Sequence, residues 1–324
     1  MKTRQAILVQ PGRFEIRDMD LTVGRDQLLI RVAVCGLCNW ELNHWRGTIG
    51  QCPQSLGHEV AGIVEQIGEG AQRFKVGDAV TALPPQLSGF ADYCILSDAD
   101  TAKLAPNADV RAALGEPLSC VITTLLAAEP AVGDVGVIVG AGPMGLWCTQ
   151  LLAGRLLSAL VVIDVNPARL ALARQFGATH TIDASQQDAV AVLAEITEGR
   201  LGDFVIEGTG RPATLASACT YLRNTGRGRL ILMSSHEAAG PAFDWRPLQQ
   251  KGAIVKMTFP VSAVAPRDSF RRAVDMYNRG SLQVAPLITH RFDLAHIQQA
   301  FETLESKPND YIKGVVMPYL DASA

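Results

Sequence analysis

Short apolar runs separated by Gly, Pro and Asp dominate the first hundred residues: QAILVQ (5–10), QLLIRVAV (27–34), EVAGIVEQIG (59–68) and ADYCIL (91–96). Runs of this length with turn residues between them predict strands, and helical periodicity is scarce, so a compact antiparallel barrel or sandwich is expected here. Near Glu116 the texture changes. Apolar strands then alternate with amphipathic stretches: VGVIVG (135–140), PMGLWCTQLLAG (143–154), ALVVID (159–164), PARLALARQFGA (167–178) and THTID (179–183). The series runs on through a helix near 186–197, DFVIEG (203–208), a helix near 212–223, RLILMS (229–234) and AIVKMT (253–258). Continuously apolar strands between amphipathic helices predict a parallel sheet covered on both faces. Asn166 is placed to cap the helix that Pro167 opens. Two further helices, near 267–279 and 294–305, precede a last strand, IKGVVMP (312–318).

Length and composition sharpen this picture. A chain of 324 residues exceeds the usual ~100–200 of one domain, and 48% hydrophobic against 19% charged residues suffices for a packed core. A net charge of −3 leaves no basic excess, so no nucleic-acid partner is expected. Seven cysteines are too few and odd in number for a disulfide framework, which favours a reducing, cytoplasmic setting. The opening MKTRQAILVQPGRFEIRD lacks a long apolar core and is expected not to be a signal peptide. Residues 135–154 carry no charge and are long enough to span a bilayer, yet their five glycines and one proline fit a strand, a turn and a buried helix better. No membrane association is expected.

Gly140-Ala-Gly142-Pro143-Met144-Gly145 is a GxGxxG that follows an apolar strand and opens a helix. In that setting Gly140 permits the turn, Gly142 lets backbone approach a pyrophosphate, and Gly145 lets helix pack close to strand. The helix N-terminus then offers N–H groups to the phosphates. Asp164, 19 residues past Gly145, is placed to accept hydrogen bonds from the adenosine ribose, favouring NAD over NADP. Arg169, five residues on, is placed to sit beside the same ribose and soften that preference. The competing reading is a glycine-rich turn in an unrelated strand–helix unit, with Asp164 an ordinary acid at a helix start.

Further toward the N-terminus stand CGLCNWELNHW (35–45) and LGHEVAG (56–62). Cys38, His58 and Glu59 are ligand types for zinc. Taken singly they favour bland readings: no second CxxC completes a knuckle, no helix clearly follows the first as in thioredoxin-like motifs, and a lone histidine is more often a core residue. Taken together with GLC (36–38), GHEVAGIVEQIGEG (57–70), VGDAV (76–80), EPLS (116–119), GAGPMG (140–145) and ITHRFDL (288–294), the chain resembles the zinc-dependent medium-chain dehydrogenase/reductase superfamily over nearly its whole length.

The resemblance implies an α/β protein with a GroES-like β-barrel catalytic domain (1–120, completed by 265–324) and a Rossmann NAD-binding domain (121–264), with a cleft between them. It implies one catalytic zinc per chain on Cys38 and His58, with Glu59 beside them as a supporting group or alternative ligand. EPLS resembles the polyol type, which makes Glu116 the third ligand, with Cys120 the competitor. The implied activity is hydride transfer between NAD and a secondary alcohol or polyol, or the matching ketone or aldehyde. A carbonyl reductase and a catalytically silent NAD(H)-binding protein are the alternatives.

Departures from the family pattern matter as well. VTALPPQLSGFADYCIL replaces the lobe of four cysteines, so the structural zinc is expected to be absent. Trp40 stands where a relay hydroxyl is usual, and it would narrow the space over the metal. Glu41 follows where Asp is commoner, and Asn43 stands at a relay-histidine position. Either water then carries the proton to Glu41, Glu59 or His44, or the usual alcohol chemistry is altered. AIVKMTF (253–259) resembles the sheet edge through which related enzymes pair, so a homodimer is expected, with a tetramer as the alternative.

Overall fold

The computed structural model describes residues 1–83, 87–234, 244–258 and 265–319. Its strands, in chain order, are β1 (Lys2–Gln10), β2 (Arg13–Asp20), β3 (Gln27–Gly36), β4 (Gln54–Ser55), β5 (Glu59–Ile67), β6 (Ala79–Ala82), β7 (Tyr93–Ser97), β8 (Thr101–Lys103), β9 (Val135–Val139), β10 (Ala159–Asp164), β11 (His180–Asp183), β12 (Phe204–Glu207), β13 (Arg229–Leu232), β14 (Ile254–Met257), β15 (Ile288–Phe292) and β16 (Lys313–Val316). The helices are α1 (Asn39–Trp45), α2 (Gly115–Ala128), α3 (Pro143–Leu152), α4 (Pro167–Gln175), α5 (Ala189–Ile196), α6 (Pro212–Ala218), α7 (Arg246–Lys251), α8 (Pro266–Asn278) and α9 (Ile297–Ser306). The chain divides into two compact units, Met1–Ser119 with Phe270–Ala324, and Cys120–Ser269.

The first unit is built on antiparallel pairing, except that β15 and β16 run parallel. A sheet in the order β15-β16-β3-β5-β6-β8, with β7 also on β3, accompanies a small sheet β2-β1-β4. Strand β16 returns from the far end of the sequence to pair with the end of β3, Val315 opposite Gly36 and Val316 opposite Cys35. A core that includes Leu8, Leu28, Ile30, Trp45, Leu56, Val60, Phe90 and Phe301 lies beneath. Because the β16 contribution is recruited across almost the whole sequence, this unit cannot be complete without the C-terminal segment.

The second unit holds a wholly parallel six-stranded sheet in the order β11-β10-β9-β12-β13-β14. Its central strand β9 is buried at every position, as the uniform apolar run required. The charge-free stretch 135–154 resolves into β9, a turn and α3, and among the described residues no helix is long and apolar enough to cross a membrane. Asn166 caps α4 as its sequence position suggested, its Oδ1 accepting from Ala168 N–H (3.0 Å) and Arg169 N–H (3.3 Å). The edge segment 253–259 forms β14 through Met257, and its Phe259 lies outside the described residues.

One expectation is corrected. A helix does follow Cys38, for α1 begins at Asn39 with Cys38 as its N-cap in extended backbone. Seven residues are too few to show a repeating apolar period, and helices this short draw their stability from packing. Here Leu42 and Trp45, three apart, bury one face.

Candidate functional site

In the first unit, β3 ends at Gly36 and hands the chain to α1 through Leu37 and Cys38, with Leu37 N–H donating to Gly314 O (3.0 Å). His58 arrives from another direction. Gly57 has φ +104°, and a Cβ there would lie 2.5 Å from the Phe90 backbone nitrogen, so only glycine lets the chain turn into β5 at this point. The turn places His58 half-buried and Glu59 fully buried at the head of β5.

These segments converge. One donor atom each from Cys38, His58 and Glu59 lie within 4.8 Å of one another. Glu116, in the first turn of α2, brings its Oε2 to 3.7 Å from His58 Nε2. On the opposite side of the imidazole, Glu41 Oε1 lies 2.9 Å from Nδ1 and also accepts from Gly57 N–H (2.6 Å). A carboxylate there fixes the proton on Nδ1 and orients the ring so that Nε2 faces Glu116. Glu41 is thus spent on orienting the ring, from a fully buried position. Burial opposes protonation of His58, but Glu41, Cys38 and Glu116 together outweigh it and hold the imidazole well above its ordinary pKa. The imidazole thus stands between acidic groups on both sides, Glu41 at Nδ1 and Glu116 at Nε2, and a cation on the Glu116 side would relieve that crowding.

Sequence reasoning missed Lys313. Its buried ammonium donates to Glu59 Oε1 (2.8 Å) and lies 2.6 Å from Oε2, and it donates as well to Leu37 O (2.9 Å). One side chain of β16 therefore ties the residue before Cys38 to the residue after His58. Burial drives the Lys313 pKa down, but Glu59 and Cys38 more than reverse this, so the ammonium persists. Burial also pushes the Glu59 carboxyl upward, while Lys313 and His58 hold it back. The signal available in the sequence was a lysine inside the apolar run IKGVVMP, with no aqueous side to reach.

Trp40 is half-buried, its ring centroid 5.6 Å from that of His58 and 4.4 Å from that of His44, both close to perpendicular. His44 is buried beside Gly50. Between Cys52 and Cys94 there is no cysteine at all, and Pro84, Pro85 and Gln86 in that segment lie outside the described residues. Cys120 sits one helical turn beyond Glu116, in the second unit.

In that second unit, the fingerprint glycines occupy the turn between β9 and α3. A Cβ on Gly145 would lie 1.9 Å from Gly140 O, so helix and turn touch there through backbone. A Cβ on Gly142 would meet nothing within 4 Å, so the backbone is open on that side at the N-cap of α3. Pro143 and Met144 form the first turn of that helix. Asp164, the last residue of β10, accepts from Ala141 N–H through Oδ2 (2.6 Å) and from Val165 and Asn166 N–H through Oδ1 (2.8 and 2.9 Å). The carboxylate is thereby fastened beside the glycine turn. Arg169 is half-buried in the first turn of α4.

Models of known families match a stretch of the N-terminal part of the chain and one of its middle part. An alcohol dehydrogenase GroES-like domain model matches residues 24–116 and a zinc-binding dehydrogenase model matches residues 143–279. The chain belongs to the zinc-type medium-chain dehydrogenase/reductase family, an oxidoreductase family, and combines a GroES-like domain with a Rossmann domain. Among its relatives, L-threonine 3-dehydrogenase of Bacillus subtilis is 28% identical over 321 residues, covering 88% of this chain and 89% of that protein. An uncharacterized zinc-type alcohol dehydrogenase-like protein of Escherichia coli is also 28% identical, covering 98% and 99%. An E. coli oxidoreductase/dehydrogenase of unknown specificity superposes with a TM-score of 0.88 at 25% identity, covering 98% of this chain and 99% of that one. A Sinorhizobium meliloti dehydrogenase solved with NADP shares the fold at 22% identity and a TM-score of 0.86, covering 98% and 100%.

Proposed function

We propose that this chain is a zinc-dependent dehydrogenase that passes hydride between NAD and a secondary alcohol or polyol. The observation that carries the reading is the convergence of Cys38, His58 and Glu59 within 4.8 Å, with Glu116 at 3.7 Å from the His58 Nε2. Thiolate, imidazole and carboxylate are a donor set suited to one catalytic zinc. Cys38, His58 and Glu116 would hold it. Glu59 is the less suitable carboxylate, because Lys313 already engages both of its oxygens. Glu41 would keep His58 in the ligating tautomer, as carboxylates do behind metal-bound histidines. Trp40 has no hydroxyl to pass a proton, so the proton leaves the substrate by way of water. Bound in these places, zinc supplies a Lewis acid that lowers the pKa of a substrate hydroxyl, and NAD supplies the hydride acceptor.

The choice of NAD rests on Asp164, whose carboxylate beside the glycine turn would repel a 2′-phosphate. The relatives named L-threonine 3-dehydrogenase act on a hydroxyl of the same secondary class, which supports the substrate class without selecting its member. A homodimer is proposed through β14, an edge of the six-stranded sheet with Met257 71% exposed.

The test is a panel of secondary alcohols and polyols, threonine included, offered with NAD and with NADP to zinc-loaded protein. Substrate-dependent NADH absorbance with NAD, and a gain of NADP use in Asp164→Gly, are expected. Tight NADH binding with no turnover on any alcohol or carbonyl would instead mark a silent cofactor binder.

A further inference from the structure

Glu207 closes β12 with its side chain fully buried, and no step proposed above uses it. Its surroundings assign it a task. The chain runs from β9 outward through β10 to β11, then restarts at β12 beside β9 and runs outward the other way through β13 to β14. The boundary between β9 and β12 is thus the point where strand order reverses. In open parallel sheets, ligands bind in the crevice beyond the carboxyl ends of the strands at such a point. Two loops flank it: the glycine turn after β9, and Gly208-Thr209-Gly210 after β12.

These loops touch. A Cβ on Gly140 would lie 2.8 Å from Thr209 Cγ2, 3.3 Å from Gly208 C and 3.4 Å from Thr209 N. The second loop is held by one carboxylate oxygen: Glu207 Oε1 accepts from Thr209 N–H (2.8 Å), Thr209 Oγ1 (2.5 Å) and Thr214 Oγ1 (3.2 Å). The two threonine hydroxyls lie within hydrogen-bond reach of each other, Thr214 Oγ1 can turn its one proton to Arg211 O (2.8 Å) instead of to Glu207, and Thr209 Oγ1 accepts from Arg211 N–H (3.1 Å) at the N-cap of α6. Below, Gly208 N–H donates to Val139 O (2.9 Å).

We infer that Glu207 is a positioning residue for the dinucleotide: its buried carboxylate staples the 208–210 loop as the wall facing the glycine turn. The inference rests on the reading of the glycine turn as a dinucleotide site. Acting through Thr209 and Thr214, Glu207 fixes the width of the crevice without touching the cofactor. With the Thr209 N–H and hydroxyl both turned to one buried oxygen, the loop has few other conformations, and deleting that acceptor leaves these two donors without it.

The experiment titrates purified full-length protein with NADH by fluorescence, with melting temperature and zinc content measured in parallel. Glu207→Leu keeps the bulk and deletes the acceptor; Thr209→Val deletes one donor hydroxyl. Both are expected to weaken NADH about tenfold, the scale of one or two lost buried hydrogen bonds. Glu207→Gln and Thr209→Ser, which keep an acceptor and a hydroxyl, are expected to recover most of the affinity, and zinc content should not change. Wild-type affinity in folded Glu207→Leu overturns the inference; should that variant not fold, wild-type affinity in Thr209→Val does so. Failure of the unaltered protein to bind NADH overturns the dinucleotide reading itself, and this inference with it.

Discussion

Burying Lys313 against Glu59 is costly, because both charges leave water, and the two are retained where they brace the segments carrying Cys38 and His58. Removing one partner exposes that cost. Lys313→Met strands a buried carboxylate and is expected to destabilise the protein by about 3–5 kcal/mol, while the double variant Glu59→Gln/Lys313→Met should recover a substantial part. Denaturant unfolding of the set measures this; equal losses in single and double variants would show that the pair is not coupled. Glu41 would act on the proposed zinc through His58, whose Nδ1 it holds. Glu41→Ala frees the His58 ring to rotate and takes away its Nδ1 partner, so zinc affinity should fall by roughly 10–100-fold in a chelator competition, with NADH binding intact. An unchanged zinc affinity would leave Glu41 a packing residue. Cys38 and His58 could be singled out in the sequence only through the family resemblance, since each alone reads as an ordinary residue. Lys313 was not, because its partner lies 254 residues away and only the β3–β16 pairing brings the two together.

At the scale of elements, legibility followed burial. Strands β9, β10, β12 and β13 are close to uniformly apolar because helices cover both faces of their sheet, and such runs stand out in any reading. Strand β2 went unread: its pattern RFEIRDMD is mostly exposed, and only pairing with β1 makes it a strand. Helix α1 escaped through shortness, with Cys38, Glu41 and Trp40 riding on it or capping it. The glycine turn was the clearest element of all, since it joins a buried strand to a helix opened by Pro143. Its geometry yields a test. Gly145→Ala places a methyl 1.9 Å from Gly140 O, against backbone that cannot yield without moving the turn. We expect NADH binding to fall at least about tenfold and stability to drop by about 1–3 kcal/mol, the usual scale of overpacking, with zinc content unchanged. NADH titration and thermal melting check it, and intact binding would mean that helix and turn have more room than the structure gives them.

On the proposed reading the two units of the whole molecule divide the work: the first carries the zinc ligands Cys38, His58 and Glu116, braced by Lys313 from the far end of the chain, and the second carries the dinucleotide site on one continuous segment. This arrangement was read from family resemblance rather than from periodicity, because no local pattern announces that β15 and β16 return to the first unit's sheet. It also separates the two functions experimentally: damage to one site should leave the other measurable. The most direct measurement is elemental analysis of zinc per chain on untagged protein, for the wild type and for Cys38→Ser and His58→Ala, with NADH binding followed alongside. We predict about one zinc per chain in the wild type, none retained in either variant, and NADH affinity preserved in all three. A wild-type chain that holds no zinc even after supplementation, or variants that keep it in full, would contradict the central claim that Cys38 and His58 form a catalytic zinc site.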